Sequence, residues 1–235
     1  MAKPKEKFKV WGDVFDEFTI LTINKLINKN CLEALQSPIS VGKEANVFSA
    51  VRGDGMVAVK IYRLETCDFN RMYDYIRADP RYIGLKRNRR HVIFSWCQRE
   101  YRNLMKAREA GIRAPYPIGF LNNVLVSEFI GEEYPAPKLK DAIPKNIKSF
   151  AKTVFEYMKK FYNAGFVHTD LSEFNILNHN EKPVFIDFSQ TTTLKNPNAE
   201  EYLKRDVHNM CKFFSKNGLE FDEEKILKEI KENNK

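Results

Sequence analysis

The chain predicts an α+β fold, with a strand-rich first half followed by a helix-rich second half, and three observations carry that prediction. Apolar β-forming runs recur near Ala34–Ile39, Ala45–Val51 and Met56–Arg63, the last two separated by a Gly53-Asp54-Gly55 turn signal. From Lys145 to Ala164, the residues Ile147, Phe150, Val154, Met158 and Phe161 return at helical spacing and stop at Gly165. After them His168–Asp187, HTDLSEFNILNHNEKPVFID, reads as loop, short strand, turn and strand. A chain of 235 residues suits one domain of two lobes with a sizeable core.

The remaining elements follow in chain order. Asp13–Asn30 carries Val14, Phe18, Leu21 and Ile27, widened by Ile20 and Ile23, and predicts an amphipathic helix ahead of the first strand. A second helix is expected from about Ser95 to Ala110, stopped by Gly111, with Cys97, Tyr101 and Leu104 along one side. The apolar run Asn123–Gly131 reads as a strand. A last core helix is expected to begin at Asp206, facing inward with Leu203, Val207, Met210 and Phe214, and the C-terminal tail is expected to be only a fraying helix end.

The chemistry concentrates in the loop and strand pair after Gly165. Asn175 follows Asp170 by five positions and Asp187 follows Asn175 by twelve. Phosphoryl transfer needs hard oxygen ligands for a divalent metal and a carboxylate that orients the acceptor. Asp187 and Asn175 fit the metal roles and Asp170 fits the orienting role, although an Asp at a strand end also serves as an ordinary turn former. Met56-Val57-Ala58-Val59-Lys60 adds a strand ending in a lysine, the pattern of a nucleotide-binding lysine. Upstream, Ser40-Val41-Gly42-Lys43-Glu44-Ala45-Asn46-Val47 keeps the second glycine and the valine of a phosphate-covering loop, with Ser40 and Ala45 at the outer glycine positions. Gly42 brings backbone N–H groups near phosphates there, with Lys43 and Ser40 adding a charge and a hydroxyl; a plain hairpin turn is the alternative. Glu100 has Trp96, Cys97, Asn103 and Leu104 three and four positions away, none of them a cation, so its partner is sought elsewhere, at Lys60.

Together SVGKEANVF, VAVK, SEFIGE, HTDLSEFN and IDFSQ resemble the Rio-type atypical serine protein kinases, most closely the first Rio branch in its single-domain form, from about Phe8 to Gly218. The resemblance implies a trimmed two-lobed protein-kinase-like fold. A five-stranded N-lobe with an extra N-terminal helix would span 8–130 with a basic insert near 64–94, and a reduced helical C-lobe would span 131–235, all within a single domain 1–235. It also implies ATP with Mg²⁺ or Mn²⁺, serine autophosphorylation, a second role for Asp187 as the site of an aspartyl phosphate, and a part in maturing the small ribosomal subunit. The match of Glu100-Tyr101-Arg102-Asn103-Leu104 to the family's pattern favours Glu100 as the partner of Lys60, and backbone groups around Glu128 and Ile130 would hold the adenine edge. Thr169 stands where many kinases carry arginine, no Ala-Pro-Glu element follows Asp187, and little chain follows Asp206, so ATP chemistry is expected without an activation segment or a peptide-gripping platform. His168 is expected to bond to the backbone rather than carry protons.

Composition narrows the setting. No apolar run approaches membrane-spanning length and Met1–Lys7 is charged, so an intracellular, cytoplasmic protein without a membrane partner is expected. Cys31, Cys67, Cys97 and Cys211 are scattered, which argues for four reduced thiols. The net charge of +8 suits a nucleic-acid partner, which the family resemblance implies to be a pre-ribosomal particle and its RNA. Arg81, Lys86, Arg87, Arg89, Arg90 and His91 form the densest basic cluster, open between a solvated flexible insert and a surface that meets RNA or nucleotide. Two other functions compete with the ATP-dependent kinase or ATPase. One is a small-molecule phosphotransferase of the aminoglycoside or choline kinase type, and the other a nucleotide-gated RNA or ribosome binding factor with negligible turnover.

Overall fold

The structure, a computed structural model, describes residues 15–232. The expected start of the first helix at Asp13-Val14, the charged residues 1–7, the family resemblance at Phe8 and the last three residues lie outside that range. Helix α1 runs Glu17–Asn28, and the Asp16 side chain caps it by accepting from Thr19 N at 2.9 Å. Its inward face differs from expectation. Thr19, Thr22, Ile23 and Leu26 are buried while Leu21 is 53% exposed. The reason is polar: Asn122 and Asn123, in the turn between two strands, donate to Thr22 Oγ1 and Thr19 Oγ1 at 3.1 and 3.0 Å, so the threonines rather than Leu21 are drawn inward.

Strands β1 (Ala34–Val41), β2 (Ala45–Arg52), β3 (Gly55–Tyr62), β4 (Pro117–Leu121) and β5 (Val124–Glu128) form one antiparallel sheet in the order β1-β2-β3-β5-β4. Arg52 pairs with Gly55, so Gly53-Asp54 is the two-residue turn, and Gly53 takes the positive φ of 57° that such a turn needs. That register sets Lys60 between Val47 and Leu125 in the middle strand.

The segment between β3 and the next long helix is built rather than loose. Helix α2 (Phe69–Arg77), which was not among the expected elements, buries Met72 and Ile76, and a 3-10 turn follows at Pro80–Tyr82. The basic residues are structural parts of it: Arg87 donates to Asn70 Oδ1 at 2.8 Å and lies over Phe69 and Tyr73, Arg89 donates to the Glu65 carbonyl at 2.7 Å, and Arg90 lies over Phe18. Helix α3 spans Arg89–Glu109, starting six residues earlier than expected because Asn88 accepts from His91 N and caps it there. Its burial reaches around most of the helix, from Val92, Ile93 and Trp96 to Arg99, Glu100 and Asn103.

The helical lobe contains α4 (Ile147–Asn163), α5 (Ala199–Lys216) and α6 (Glu223–Lys231). Phe150, Val154, Met158 and Phe161 of α4 and Leu203, Val207, Met210 and Phe214 of α5 are buried. Helix α5 begins at Ala199, so Asp206 lies in its middle rather than at its start. Helix α6 is packed, not frayed: Ile226 and Ile230 are buried against the lobe, each apolar side chain of that size contributing about 1.5–3 kcal/mol. Short strands β6 (Phe166–Val167) and β9 (Thr192–Thr193) pair, as do β7 (Ile176–His179) and β8 (Lys182–Phe185). The β7–β8 turn at Asn180-Glu181 has positive φ at both residues. That hairpin brings the ends of the catalytic stretch together, with Ile186 N donating to Asn175 O at 3.0 Å.

All four cysteines are unpaired thiols, and among the described residues no helix is long and apolar enough to cross a membrane.

Candidate active site

A cleft of about 620 Å³ opens between the sheet and the helical lobe. Ser40, Gly42, Lys43, Lys60, Glu100, Glu128, Ile130, Asn175 and Asp187 all line it, which brings together residues from both ends of the chain. Asp170 stands at its edge, tied to it through Asn175, whose amide nitrogen donates to Asp170 O and Oδ2 at 2.8 and 3.1 Å.

At the back of the cleft the Lys60 ammonium lies 2.8 Å from Glu100 Oε1 and 2.9 Å from Asp187 Oδ1. Burial by itself would lower the lysine's pKa, but the charges of Asp187 and Glu100 outweigh it and hold the ammonium protonated well above its ordinary range. The same burial raises the Glu100 carboxyl, against the pull of Lys60, and Tyr62 donates its hydroxyl to the other Glu100 oxygen. Burial also pushes Asp187 up, yet Lys60 and the Ser189 hydroxyl, which donates to Oδ1 at 2.7 Å, bring it down to about 2. Asp170 moves the other way, raised by burial and then by the charge of Asp187. Two neighbouring carboxylates are thus held apart in proton affinity, the signature of a division of labour.

The donor set suits a small hard cation. Asp187 spends Oδ1 on Lys60 and Ser189 and leaves Oδ2; Asn175 spends its amide nitrogen on Asp170 and leaves Oδ1. Both residues line the same cleft, and no group of three or more His, Cys, Asp or Glu that could hold a metal occurs among the described residues. Magnesium is usually held by one or two protein oxygens, with phosphates and water supplying the rest.

The loop between β1 and β2 is a tight hairpin in which Gly42 N donates to Ala45 O at 3.0 Å. A Cβ on Gly42 would fall 2.9 Å from that oxygen, so the close turn requires glycine. Lys43 is exposed on its outer side. On the opposite wall the Glu128 carboxylate is committed to Arg113 at 2.6 and 2.7 Å and to Tyr116 N at 3.0 Å, and its backbone N–H donates to the Tyr116 carbonyl at 2.8 Å. Ile130 gives its carbonyl to Ala136 N at 2.8 Å.

The loop that carries Asp170 is itself held by side chains. Asp206 accepts from Thr169 N and Leu171 N at 2.8 and 2.9 Å, flanking Asp170. Thr169 has φ 72° and Asp187 φ 60°, conformations costly for side chains of their kind and kept only where surroundings over-determine them. Gln190 Nε2 approaches Asp170 Oδ2 at 3.4 Å. Tyr62 carries no local sequence signal for this role; Ser189 and Gln190 lie in the IDFSQ motif without a role read for them, and Asp206 stands on the helix whose resemblance is to one that steadies this loop.

His168 is buried with Nε2 3.1 Å from the Ile186 carbonyl, a backbone-bonding histidine. Burial lowers its pKa to about 4. An unfolded imidazole takes a proton below about 6.5 while the folded one stays neutral, so this group's contribution is present above 6.5 and is lost as pH falls toward 4. Asp206, raised to about 7 by burial, works in the opposite direction across an overlapping window, so wild type alone does not isolate the effect. His168→Gln does. Urea unfolding at pH 7 and near pH 4 should show the stability difference between the two proteins changing by about 3 kcal/mol in favour of the glutamine variant at acid pH. An unchanged difference would contradict the assignment of a neutral buried imidazole.

A family profile described as a RIO domain matches residues 46–226. The RIO-type serine/threonine-protein kinase Rio1 of Haloferax volcanii is 42% identical over 222 residues, covering 94% of this chain and 77% of that protein. The kinase of the same name from Methanocaldococcus jannaschii is 41% identical over 227 residues, covering 96% of this chain and 78% of that protein. Among solved structures, the Rio2 kinase of Chaetomium thermophilum, as an ADP/Mg²⁺-phosphoaspartate complex, superposes with a TM-score of 0.68 at 21% identity over 91% of this chain and 66% of that one. At that identity the likeness concerns the fold, a kinase-like α+β arrangement with a five-stranded antiparallel sheet.

Proposed function

The chain belongs to the RIO domain family of atypical serine/threonine kinases, and on that premise we propose that its cleft transfers the terminal phosphoryl group of ATP with Mg²⁺ or Mn²⁺, in the maturation of the small ribosomal subunit. The observation that carries the reading is the Lys60 ammonium, clamped by Glu100 and Asp187 beside two uncommitted hard oxygens. In this reading Lys60 binds the phosphates, and Glu100, itself held by Tyr62, fixes the ammonium in place. Gly42, Ser40 and Lys43 cover the phosphates, and backbone groups at Glu128 and Ile130 take the adenine edge. Asn175 Oδ1 and Asp187 Oδ2 would hold the metal, which when bound neutralises charge on the phosphates.

Asp170 orients the attacking hydroxyl, its position set by Asn175 and by the Asp206-bound backbone on either side. Its raised proton affinity suits a group that accepts a proton as the new bond forms. A second route uses Asp187 as the nucleophile. Its carboxylate oxygen forms the bond to the γ-phosphorus as the bond to ADP breaks, and water then cleaves the acyl phosphate, returning the carboxylate and releasing phosphate. The Chaetomium Rio2 kinase complex contains a phosphoaspartate, which favours this route for the present chain. The net charge of +8 supports an RNA-bearing partner, with Arg87, Arg89 and Arg90 exposed although each has an internal partner.

Incubation with γ-labelled ATP and Mg²⁺ tests the reading. Protein-bound label lost on hydroxylamine treatment is expected for the aspartyl route, and stable label on serine for autophosphorylation. Bound ATP with neither label nor released phosphate would refute both and leave a nucleotide-gated binding factor.

A further inference from the structure

The segment after Asp187 is gripped from outside the cleft. Asn103 Nδ2 donates to the carbonyls of Phe188 and Thr191 at 2.8 and 3.1 Å, Arg99 Nη2 to that of Gln190 at 3.0 Å, and Arg81 Nη2 to that of Thr191 at 3.1 Å. Arg81 Nη1 also donates to Asn103 Oδ1 at 2.9 Å, which joins those two side chains, and Arg99 is joined to Arg81 through Asp79. A single carboxylate holds the three together. Asp79, fully buried at the end of the α2 segment, accepts from Arg81 N and Nε at 3.0 Å and from Arg81 Nη2 at 2.6 Å. It also lies 3.3 Å from Arg99 Nη2 and 3.4 Å from Thr192 Oγ1.

We propose that Asp79 is a positioning residue for phosphoryl transfer: through Arg81, Arg99 and Asn103 it fixes the backbone that aims the Asp187 carboxylate into the cleft. Asp187 sits at φ 60°, a conformation that relaxes unless neighbouring backbone is held, and the carbonyls at 188, 190 and 191 are the held points. Arg99 is as buried as Asp79, so the pair is closed to water and each needs the other. The Gln190 carbonyl is shared between Arg99 and the Thr169 hydroxyl, at 3.0 and 2.9 Å, so the same clamp reaches the loop that carries Asp170. The insert between β3 and α3 thereby acquires a role that its basic composition does not show: it orders the metal-facing loop.

The proposal rests on the phosphoryl-transfer reading, and its test separates the two. Wild type, Asp79→Asn and Arg81→Met are compared for kcat and KM with ATP, and for the increment in melting temperature that Mg²⁺ adds to protein already saturated with ADP. Arg81→Met cuts only the exposed-side arm of the clamp, so it remains informative if Asp79→Asn does not fold. In folded variants kcat is expected to fall about ten- to a hundredfold with KM for ATP within about threefold, and the Mg²⁺ increment to shrink while the increment from ADP alone persists. A folded variant with wild-type kcat and a wild-type Mg²⁺ increment would overturn the proposal. So would a fall in kcat that only matches the lost fraction of folded protein, with KM and the Mg²⁺ increment of the folded fraction unchanged, which is what a merely structural role produces. If wild type itself does not turn over ATP, the phosphoryl-transfer reading fails, and the Mg²⁺ increment alone decides whether Asp79 aims Asp187.

Discussion

Lys60→Met is expected to abolish turnover, at least about a hundredfold in kcat, and to lower stability by about 3–5 kcal/mol. The two effects have one origin. The ammonium is the shared partner of Glu100, almost fully buried, and of Asp187. Methionine fills the volume but leaves a buried carboxylate facing Tyr62 and the sheet with no cation. Glu100, already raised by burial, then relieves itself by taking up a proton, which places the stability loss toward the lower end at acid pH. For a chain of this size each kcal/mol corresponds to roughly 2–4 °C, so the melting temperature should fall by roughly 6–20 °C. Thermal unfolding with and without ATP measures both parts. A variant that melts like wild type and gains the same stabilisation from ATP would remove Lys60 from the phosphate site.

Asp206→Ala is expected to cost about 2–5 kcal/mol, because the Thr169 and Leu171 N–H groups lose their acceptor inside the protein. Those two groups bracket Asp170, and Thr169 is held at φ 72°, so the loop between them relaxes once released. Turnover should therefore fall more than the folded fraction does. Asp206→Asn keeps one acceptor oxygen and should recover part of the stability. Denaturant unfolding of the three proteins at pH 7 gives the ordering wild type, then asparagine, then alanine; alanine equal to wild type would show that water serves these N–H groups as well.

What was legible in the sequence was what local spacing encodes. Alternating β-formers placed β2 and β3, helical spacing placed α4, and the strand-turn-strand reading of 176–185 anticipated the hairpin that sets Asn175 beside Asp187. Lys60, Glu100, Asn175 and Asp187 were singled out and lie in one cleft, with Asp170 at its edge. What escaped depends on partners distant in sequence. The inward face of α1 follows Asn122 and Asn123, about a hundred positions away. Helix α2 is marked locally, by Phe69, Met72, Tyr73 and Ile76 at helical spacing behind the Asp68 cap, a signal diluted by the basic run that follows it. Ser189 and Gln190 stand in the IDFSQ motif, but their contacts, like those of Asp79, follow from no period, and the basic cluster looked like a surface because spacing does not show guanidiniums folding back onto carbonyls and rings.

Phosphate release from ATP with Mg²⁺, measured beside ATP binding for wild type, Asp170→Asn and Asp187→Asn, tests the central claim most directly. The claim is that this cleft does metal-dependent phosphoryl transfer through those two carboxylates. The expected result is turnover in wild type, none in either variant, and retained ATP binding with a normal melting temperature in Asp170→Asn. Wild-type release that persists in both variants would contradict the claim.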